Sequence, residues 1–225
     1  MSFRLFFAFW LVLSLTLLWV AGRWVYSELH FYQASKLLSQ VGQSVEPVSH
    51  AVVDVIDYSL NQYNHYAWIT RPAYYDLKIG LSVFRLELDI EPDSQAEVIE
   101  QIKTLLAEQT LAFPHYPFVW VNNLRLLTLT KDSSSVDYFW DQSLFLAHRN
   151  PLVNLELALT INDIWSFLDR EQRAEALEVL ALGFSATRHN ARKIYRSLTD
   201  QNARMATCLY LNAKQVLNAD VCQGR

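Results

Sequence analysis

The sequence contains little glycine, proline and cysteine: its 225 residues include 5 glycines, 6 prolines and 2 cysteines. So little glycine argues against a β-rich chain with many tight turns and against nucleotide-binding folds with glycine-rich loops. Two cysteines are too few for a zinc ribbon, which needs four ligands at close spacing. Hydrophobic residues make up 52% of the chain and charged residues 19%, a composition that excludes a disordered protein.

Motifs that carry enzyme chemistry are also absent from the sequence. It contains no P-loop, no G-x-S-x-G nucleophile turn and no H-E-x-x-H metal motif. The histidines are spread along the chain, and no two of them share an i, i+4 helix face: His30, His50, His65, His115, His148 and His189. We therefore predict a protein that is not an enzyme, with no catalytic residues, no metal site and no cofactor.

One long apolar run lies near the N-terminus. From Leu5 to Gly22 the sequence has 18 consecutive uncharged residues, bracketed by Arg4 and Arg23. A helix of that length covers about 27 Å, close to the hydrocarbon thickness of a bilayer. Aromatic residues suited to a membrane interface lie in its last turn and just after it: Trp19, Trp24 and Tyr26. We predict a membrane anchor over residues 1–23; the alternative is a cleaved signal peptide, whose apolar region is typically shorter, roughly 7–15 residues.

Charge alone does not orient this anchor, because basic residues are nearly balanced on its two sides. A short N-terminal tail before a large C-terminal domain usually inserts with the tail inside. We therefore predict a single-pass protein of the bacterial inner membrane, with residues 23–225 in the periplasm and inner-membrane lipid as one partner. Residues 1–187 hold 12 Lys and Arg against 21 Asp and Glu. This acidic balance, together with the anchor, argues against a nucleic-acid partner.

Beyond the anchor, apolar residues recur at helical spacing and predict an all-α fold. Residues 24–44 are predicted to form an amphipathic stalk helix, and residues 45–225 a periplasmic helical-repeat domain. Predicted helices in that domain include 48–63, one opening at Pro72, one ending near Lys131, 136–147 and 152–168. Asn150 is predicted as a helix N-cap, and Asp169 with Gln172 as a capping box.

The spacing of two prolines suggests a repeat. Pro117 and Pro151 are 34 residues apart, which is the tetratricopeptide period. The interval between them has helix–turn–helix content, so we expect a tetratricopeptide-like array. The alternative is an irregular helical domain without true repeats.

Basic residues concentrate near the C-terminus, where residues 188–225 hold 7 Lys and Arg against 2 Asp and Glu. The candidate contacts for an anionic ligand share one predicted helix: Arg188, Arg192, Lys193 and Arg196. Guanidinium groups bind phosphate and carboxylate in a bidentate manner, so the cluster is suited to anionic glycan, lipid pyrophosphate or headgroups. The alternative is a solvated face of a terminal repeat.

Aromatic residues make up 13% of the chain and fall into short clusters, one of them Tyr63-x-x-Tyr66-x-Trp68. Tyr116 and Tyr138 are candidates for stacking on sugar rings; the alternative is that the clusters pack between helices. Cys208 and Cys222 form a disulfide only if the chain reverses near Asn218, since within one straight helix they would lie about 21 Å apart. The alternative is one buried thiol and one exposed thiol.

The second half of the chain resembles a known group of envelope proteins. PFVWVNNLRLLTL and FLAHRNPLVNLELALTINDIWSFLDREQRAEAL are similar to the soluble helical region of bacterial O-antigen ligase and polymerase-type proteins. Trp120 and Asn122 match the W-x-N motif of that group, Asn150-Pro151 its turn, Trp165 its buried tryptophan and Cys208 its late cysteine. The whole layout resembles the VpsP-type exopolysaccharide biosynthesis proteins, and the similarity covers roughly residues 110–210.

This resemblance rests on packing motifs and lacks a multi-span polymerase core. It implies a non-enzymatic accessory or scaffold protein of exopolysaccharide biosynthesis or export, which binds envelope polysaccharide biosynthesis proteins through a helical-repeat surface. The alternative is a periplasmic protein that binds carbohydrate or lipid-linked glycan directly.

Overall fold

The structure is a computed structural model that describes residues 3–41, 49–88 and 92–223. Over that part of the chain it is all-α, without strands, and 84% helical. Ten α-helices and a short 3₁₀ helix follow one another in the described segments: α1 Phe3–Val41, α2 His50–Tyr66, α3 Pro72–Leu88, α4 Pro92–Ala112, α5 Phe118–Thr130, α6 Val136–Ala147, α7 Pro151–Ile164, α8 Arg170–Ala186, α9 Arg188–Ser197, α10 Gln201–Ala213 and the 3₁₀ helix Ala219–Gln223. The predicted all-α fold is confirmed.

The chain divides into two compact units, Met1–Glu108 and Gln109–Arg225. Each unit has its own hydrophobic core. The predicted stalk, residues 24–44, continues the N-terminal helix as far as Val41 and packs within the first unit. The predicted boundary between stalk and domain, at residues 44 and 45, lies outside the described residues.

Helix α1 changes character along its length. Phe9–Val41 is long and apolar enough to cross a membrane, and its most apolar stretch is not buried by the rest of the protein. Large apolar side chains from Phe9 to Val25 are exposed. Farther on, Ser27 and Ala34 are buried, and Phe31 packs against the core of the first unit. One continuous helix therefore carries both an uncovered apolar segment and a packed segment.

Helices α2 and α3 pack against this second part of α1. Val53, Ile56 and Leu60 are buried along one face of α2, as their helical spacing requires. At Gly80 of α3 a Cβ would lie 3.2 Å from Leu38 Cδ2 of α1, so glycine permits a close approach of these helices. Tyr74 of α3 is also buried, and burial raises its pKa to about 12.

An ion cluster joins α2 to α3. Lys78 Nζ lies 2.7 Å from Asp57 Oδ1, and an Arg85 guanidinium nitrogen lies 3.1 Å from Asp57 Oδ2. Partial burial raises the pKa of Asp57, but hydrogen bonding and charge from Lys78, and then from Arg85, outweigh it and hold that pKa below its ordinary value. Asp57 is therefore ionised and bridges two cations of α3.

The second unit confirms the predicted helix caps. Asn150 Oδ1 accepts a hydrogen bond from the backbone N–H of Leu152 at 3.0 Å, with Pro151 as the first helical residue. Asp169 and Gln172 form the predicted capping box at the start of α8. Helix α7 ends at Ile164 rather than near Leu168, because a tight turn follows in which Phe167 N–H donates to Ile164 O at 2.9 Å.

The core of the second unit is built from α5 to α10. Trp140 is completely buried, and its Nε1 donates to Glu175 Oε2 of α8 at 2.7 Å. Trp120, Leu124 and Trp165 are buried. Helix α5 follows Pro117 directly and packs beside α7, which begins at Pro151. The tetratricopeptide-like character of this pairing stays a prediction.

Candidate functional site

The basic residues near the C-terminus lie on α9, a short helix with one apolar face. Ala191 and Ile194 are buried on that face. Arg192, Lys193 and Arg196 are exposed. One helical turn separates the two arginines, which places their α-carbons about 6 Å apart along the axis. No carboxylate in the described part of the chain forms an ion pair with any of these three cations. We call Arg192, Lys193 and Arg196 the basic face of α9.

Arg188 differs from the other three predicted contacts. Its guanidinium nitrogen lies 2.8 Å from Asp220 Oδ2 in the C-terminal 3₁₀ helix. Both side chains of this pair are about half exposed, so the pair contributes little stability by itself. The structure therefore ties Arg188 to the C-terminal turn and leaves the basic face to Arg192, Lys193 and Arg196.

Helix α9 is held closely against its neighbours. Thr187 caps its N-terminus by accepting a hydrogen bond from Asn190 N–H at 3.0 Å. At Gly183 of α8 a Cβ would lie only 2.6 Å from Ile194 Cδ1, so glycine lets α9 approach α8 closely. The Arg204 guanidinium stacks 4.2 Å from the ring centre of Tyr195. These contacts fix the basic face on a rigid support.

The C-terminal turn is fixed to the same region. Cys208 and Cys222 form a disulfide with a Cα–Cα distance of 5.7 Å. The chain reverses before it, with left-handed backbone at Gln215 and Asn218. Asn218 Nδ2 also donates to Phe184 O, in the last turns of α8, at 2.7 Å. The disulfide thus holds the turn that contains Asp220, the partner of Arg188.

The candidate stacking residues lie elsewhere in the second unit. Tyr138 of α6 is 55% exposed and meets Trp120 edge to face, with ring centres 5.6 Å apart. Tyr116 precedes α5 and is partly buried, and its ring centre lies 5.4 Å from that of Phe118. Helix α9 packs against α7, α8 and the 3₁₀ helix. Tyr138 therefore offers an exposed ring on a helix other than the one that carries the basic face.

A cleft of about 440 Å³ lies beside α8 and α10 in the second unit. Its polar lining includes His148, Glu178, Tyr210 and Lys214. These groups can donate hydrogen bonds to a polypeptide or a sugar and accept hydrogen bonds from it.

Among the described residues, no group of three or more His, Cys, Asp or Glu side chains could hold a metal ion.

A contact between the end of the apolar segment of α1 and the end of α2 was not predicted from the sequence. Tyr63 and Trp68 belong to one aromatic cluster in the sequence, but Tyr63 is buried whereas Trp68 is exposed in the loop after α2. Arg23 Nε donates to Tyr66 O at 2.9 Å, at the C-terminus of α2. The only sequence signal for this contact is a cation directly after the uncharged run.

Comparison with known proteins does not classify the chain. No protein-family model matches it, and neither curated proteins nor solved structures include a match.

Proposed function

We propose that this protein is a membrane-anchored, non-enzymatic accessory or scaffold protein of bacterial exopolysaccharide biosynthesis or export, of the VpsP type. In this proposal α1 crosses the inner membrane once, and residues 23–225 lie in the periplasm. The basic face of α9 binds an acidic surface of a partner protein of the envelope polysaccharide machinery.

Two features support the proposed location. The apolar segment of α1 leaves large side chains uncovered, including Trp10, Leu18 and Trp19, and lipid is the environment in which such a surface is stable. The Cys208–Cys222 disulfide suits an oxidising compartment such as the bacterial periplasm. Both features favour an anchored protein with its C-terminal part outside the cytoplasm.

The basic face of α9 carries the proposal of a binding role. Arg192, Lys193 and Arg196 project from one rigid helix without a carboxylate partner among the described residues. Arginine fits carboxylate groups in a bidentate manner, and positive patches steer the association of acidic partners. A surface of this kind binds, and nothing in its chemistry activates a nucleophile or transfers a proton.

The resemblance over residues 110–210 supports the proposed pathway. Trp120 and Trp165, two residues that carry the resemblance, are buried packing residues.

The rival proposal, direct binding of glycan, is favoured by the exposed ring of Tyr138, because aromatic faces stack on sugars. The two proposals differ in what the basic face touches: an acidic protein or an anionic polymer.

We expect deletion of the gene to reduce surface polysaccharide, and we expect Arg192→Glu with Arg196→Glu to fail to restore it. Because the two side chains are exposed, the free energy of unfolding of the variant should lie within about 0.5 kcal/mol of that of the wild type, and the variant should accumulate normally. The measurement is surface polysaccharide per cell in the deletion strain complemented with each variant, with protein abundance measured by immunoblot.

The matched control is Lys131→Glu with Arg170→Glu, which reverses two exposed basic side chains away from α9 and changes the net charge equally. This control should restore polysaccharide fully. Normal polysaccharide in the deletion strain would contradict the proposed pathway. Full restoration by the α9 variant would contradict a role for the basic face.

A further inference from the structure

The loop between α2 and α3 exposes two neighbouring large apolar side chains. Trp68 is 64% exposed and Ile69 is 80% exposed. Short loops between helices are normally built from polar and turn-forming residues. An exposed apolar pair of this kind marks a contact with another molecule or with lipid.

The loop lies beside the apolar segment of α1. Trp68 and Ile69 line one side of a cleft of about 390 Å³, and Val20 and Trp24 of α1 line the other. Val20 belongs to the uncharged run, and Trp24 follows the first charged residue after it. Along α1, the loop is therefore level with the place where the apolar segment ends.

Two contacts hold the loop at this level. Before the loop, Arg23 donates to Tyr66 O at 2.9 Å and to His65 O at 3.0 Å, so it binds the last carbonyls of α2. After the loop, Arg71 forms an ion pair with Glu28 of α1. Both ends of the loop are thus attached to α1 within about 8 Å along its axis.

We infer that Trp68 and Ile69 insert into the interfacial layer of the bilayer leaflet from which α1 emerges. The occupant of this surface is lipid, because the exposed pair is continuous with the apolar surface of α1 that only lipid covers in the proposed topology. Tryptophan favours the headgroup level, and the Arg23 side chain can reach polar groups there. This inference rests on the proposal that α1 crosses the membrane.

The consequence is a second contact between the first unit and the bilayer. Helix α2 runs antiparallel to α1, because Arg23 contacts the last residue of α2, Tyr66, whereas His30, farther along α1, contacts the earlier residue Tyr58. The ring centres of His30 and Tyr58 are 6.2 Å apart. The α2–α3 hairpin therefore rests on the membrane by its tip. Residues 24–41 then belong to a unit that contacts the membrane at two places, and they do not act as a free spacer.

The test is the depth of single fluorescent labels in the full chain, reconstituted in nanodiscs of phosphatidylethanolamine and phosphatidylglycerol. Cysteine is introduced singly at Val12, Tyr58 or Ile69 and labelled with bimane without reductant, so that the native disulfide does not react. Val12 is 62% exposed on α1, and Tyr58 is 58% exposed on α2, about 12 Å before its C-terminus. Quenching is measured with lipids brominated near the headgroup or deep in the acyl chain.

We expect deep bromine to quench the label at Val12, shallow bromine to quench the label at Ile69, and neither to quench the label at Tyr58. Circular dichroism confirms that each labelled variant keeps its helices. Quenching at Val12 without quenching at Ile69 would overturn the inference and leave the anchor intact, and so would equal quenching at Tyr58 and Ile69. Absence of quenching at Val12 would contradict the anchor itself.

Discussion

Replacement of Trp140 by alanine is expected to lower the free energy of unfolding of the second unit by about 3–5 kcal/mol. Trp140 has the largest side chain among those fully buried in the described residues. Its removal leaves a cavity between α6 and its neighbours. Glu175 Oε2 also loses the hydrogen bond that Trp140 Nε1 donates to it at 2.7 Å. Both effects act in the same direction.

The change is measured by urea unfolding of the full chain in detergent, followed by circular dichroism. Phe145→Ala is the matched control, because Phe145 lies on the same helix and is more than half exposed. Phe145 stacks against the Arg149 guanidinium at 3.9 Å, so the control should cost about 1 kcal/mol or less. Equal losses in the two variants would show that Trp140 does not belong to a packed core.

Replacement of Cys208 by serine is expected to cost about 3 kcal/mol, because the disulfide closes a loop of 14 residues in sequence separation. The loss should appear first at the C-terminus. Without the bond, the turn that carries Asn218 and Asp220 keeps the hydrogen bond to Phe184 O, the ion pair with Arg188 and the buried side chain of Val221, but it loses its covalent link to α10. Amide hydrogen exchange in residues 214–223 should therefore rise.

Asp220→Asn separates the two contributions. It removes the ion pair with Arg188 and keeps the disulfide, so it should cost at most about 1 kcal/mol. Hydrogen exchange resolved by peptide, with and without reductant, makes the comparison. If Cys208→Ser left exchange at the C-terminus unchanged, the disulfide would have no part in holding the turn beside α9.

Much of the fold follows from local sequence signals. Asn150-Pro151 and Asp169 with Gln172 mark helix starts that the structure contains, because a cap satisfies backbone N–H groups within a few residues of itself. The helices predicted over residues 48–63 and 136–147 also correspond to α2 and α6. These signals are short-range, so one sequence is sufficient to read them.

The remaining features depend on residues far apart in the chain. The sequence places a cation, Arg23, directly after the uncharged run, but the carbonyls that it binds belong to residues 65 and 66, more than 40 residues farther along the chain. Likewise, the separation of Arg188 from Arg192 and Arg196 depends on Asp220, which the C-terminal turn brings back to α9. The division into two units also arises from packing over long sequence distances, which periodicity does not encode.

In the proposed function, the basic face of α9 binds an envelope protein. The most direct measurement is photocrosslinking in living, polysaccharide-producing cells with a benzoylphenylalanine at Lys193, which is exposed between the two arginines. We expect an adduct to a protein of the polysaccharide machinery, identified by mass spectrometry, which disappears when Arg192 and Arg196 are changed to glutamate. Adducts to polysaccharide alone, or no adduct in cells that make normal amounts of the protein, would show that the basic face does not bind an envelope protein.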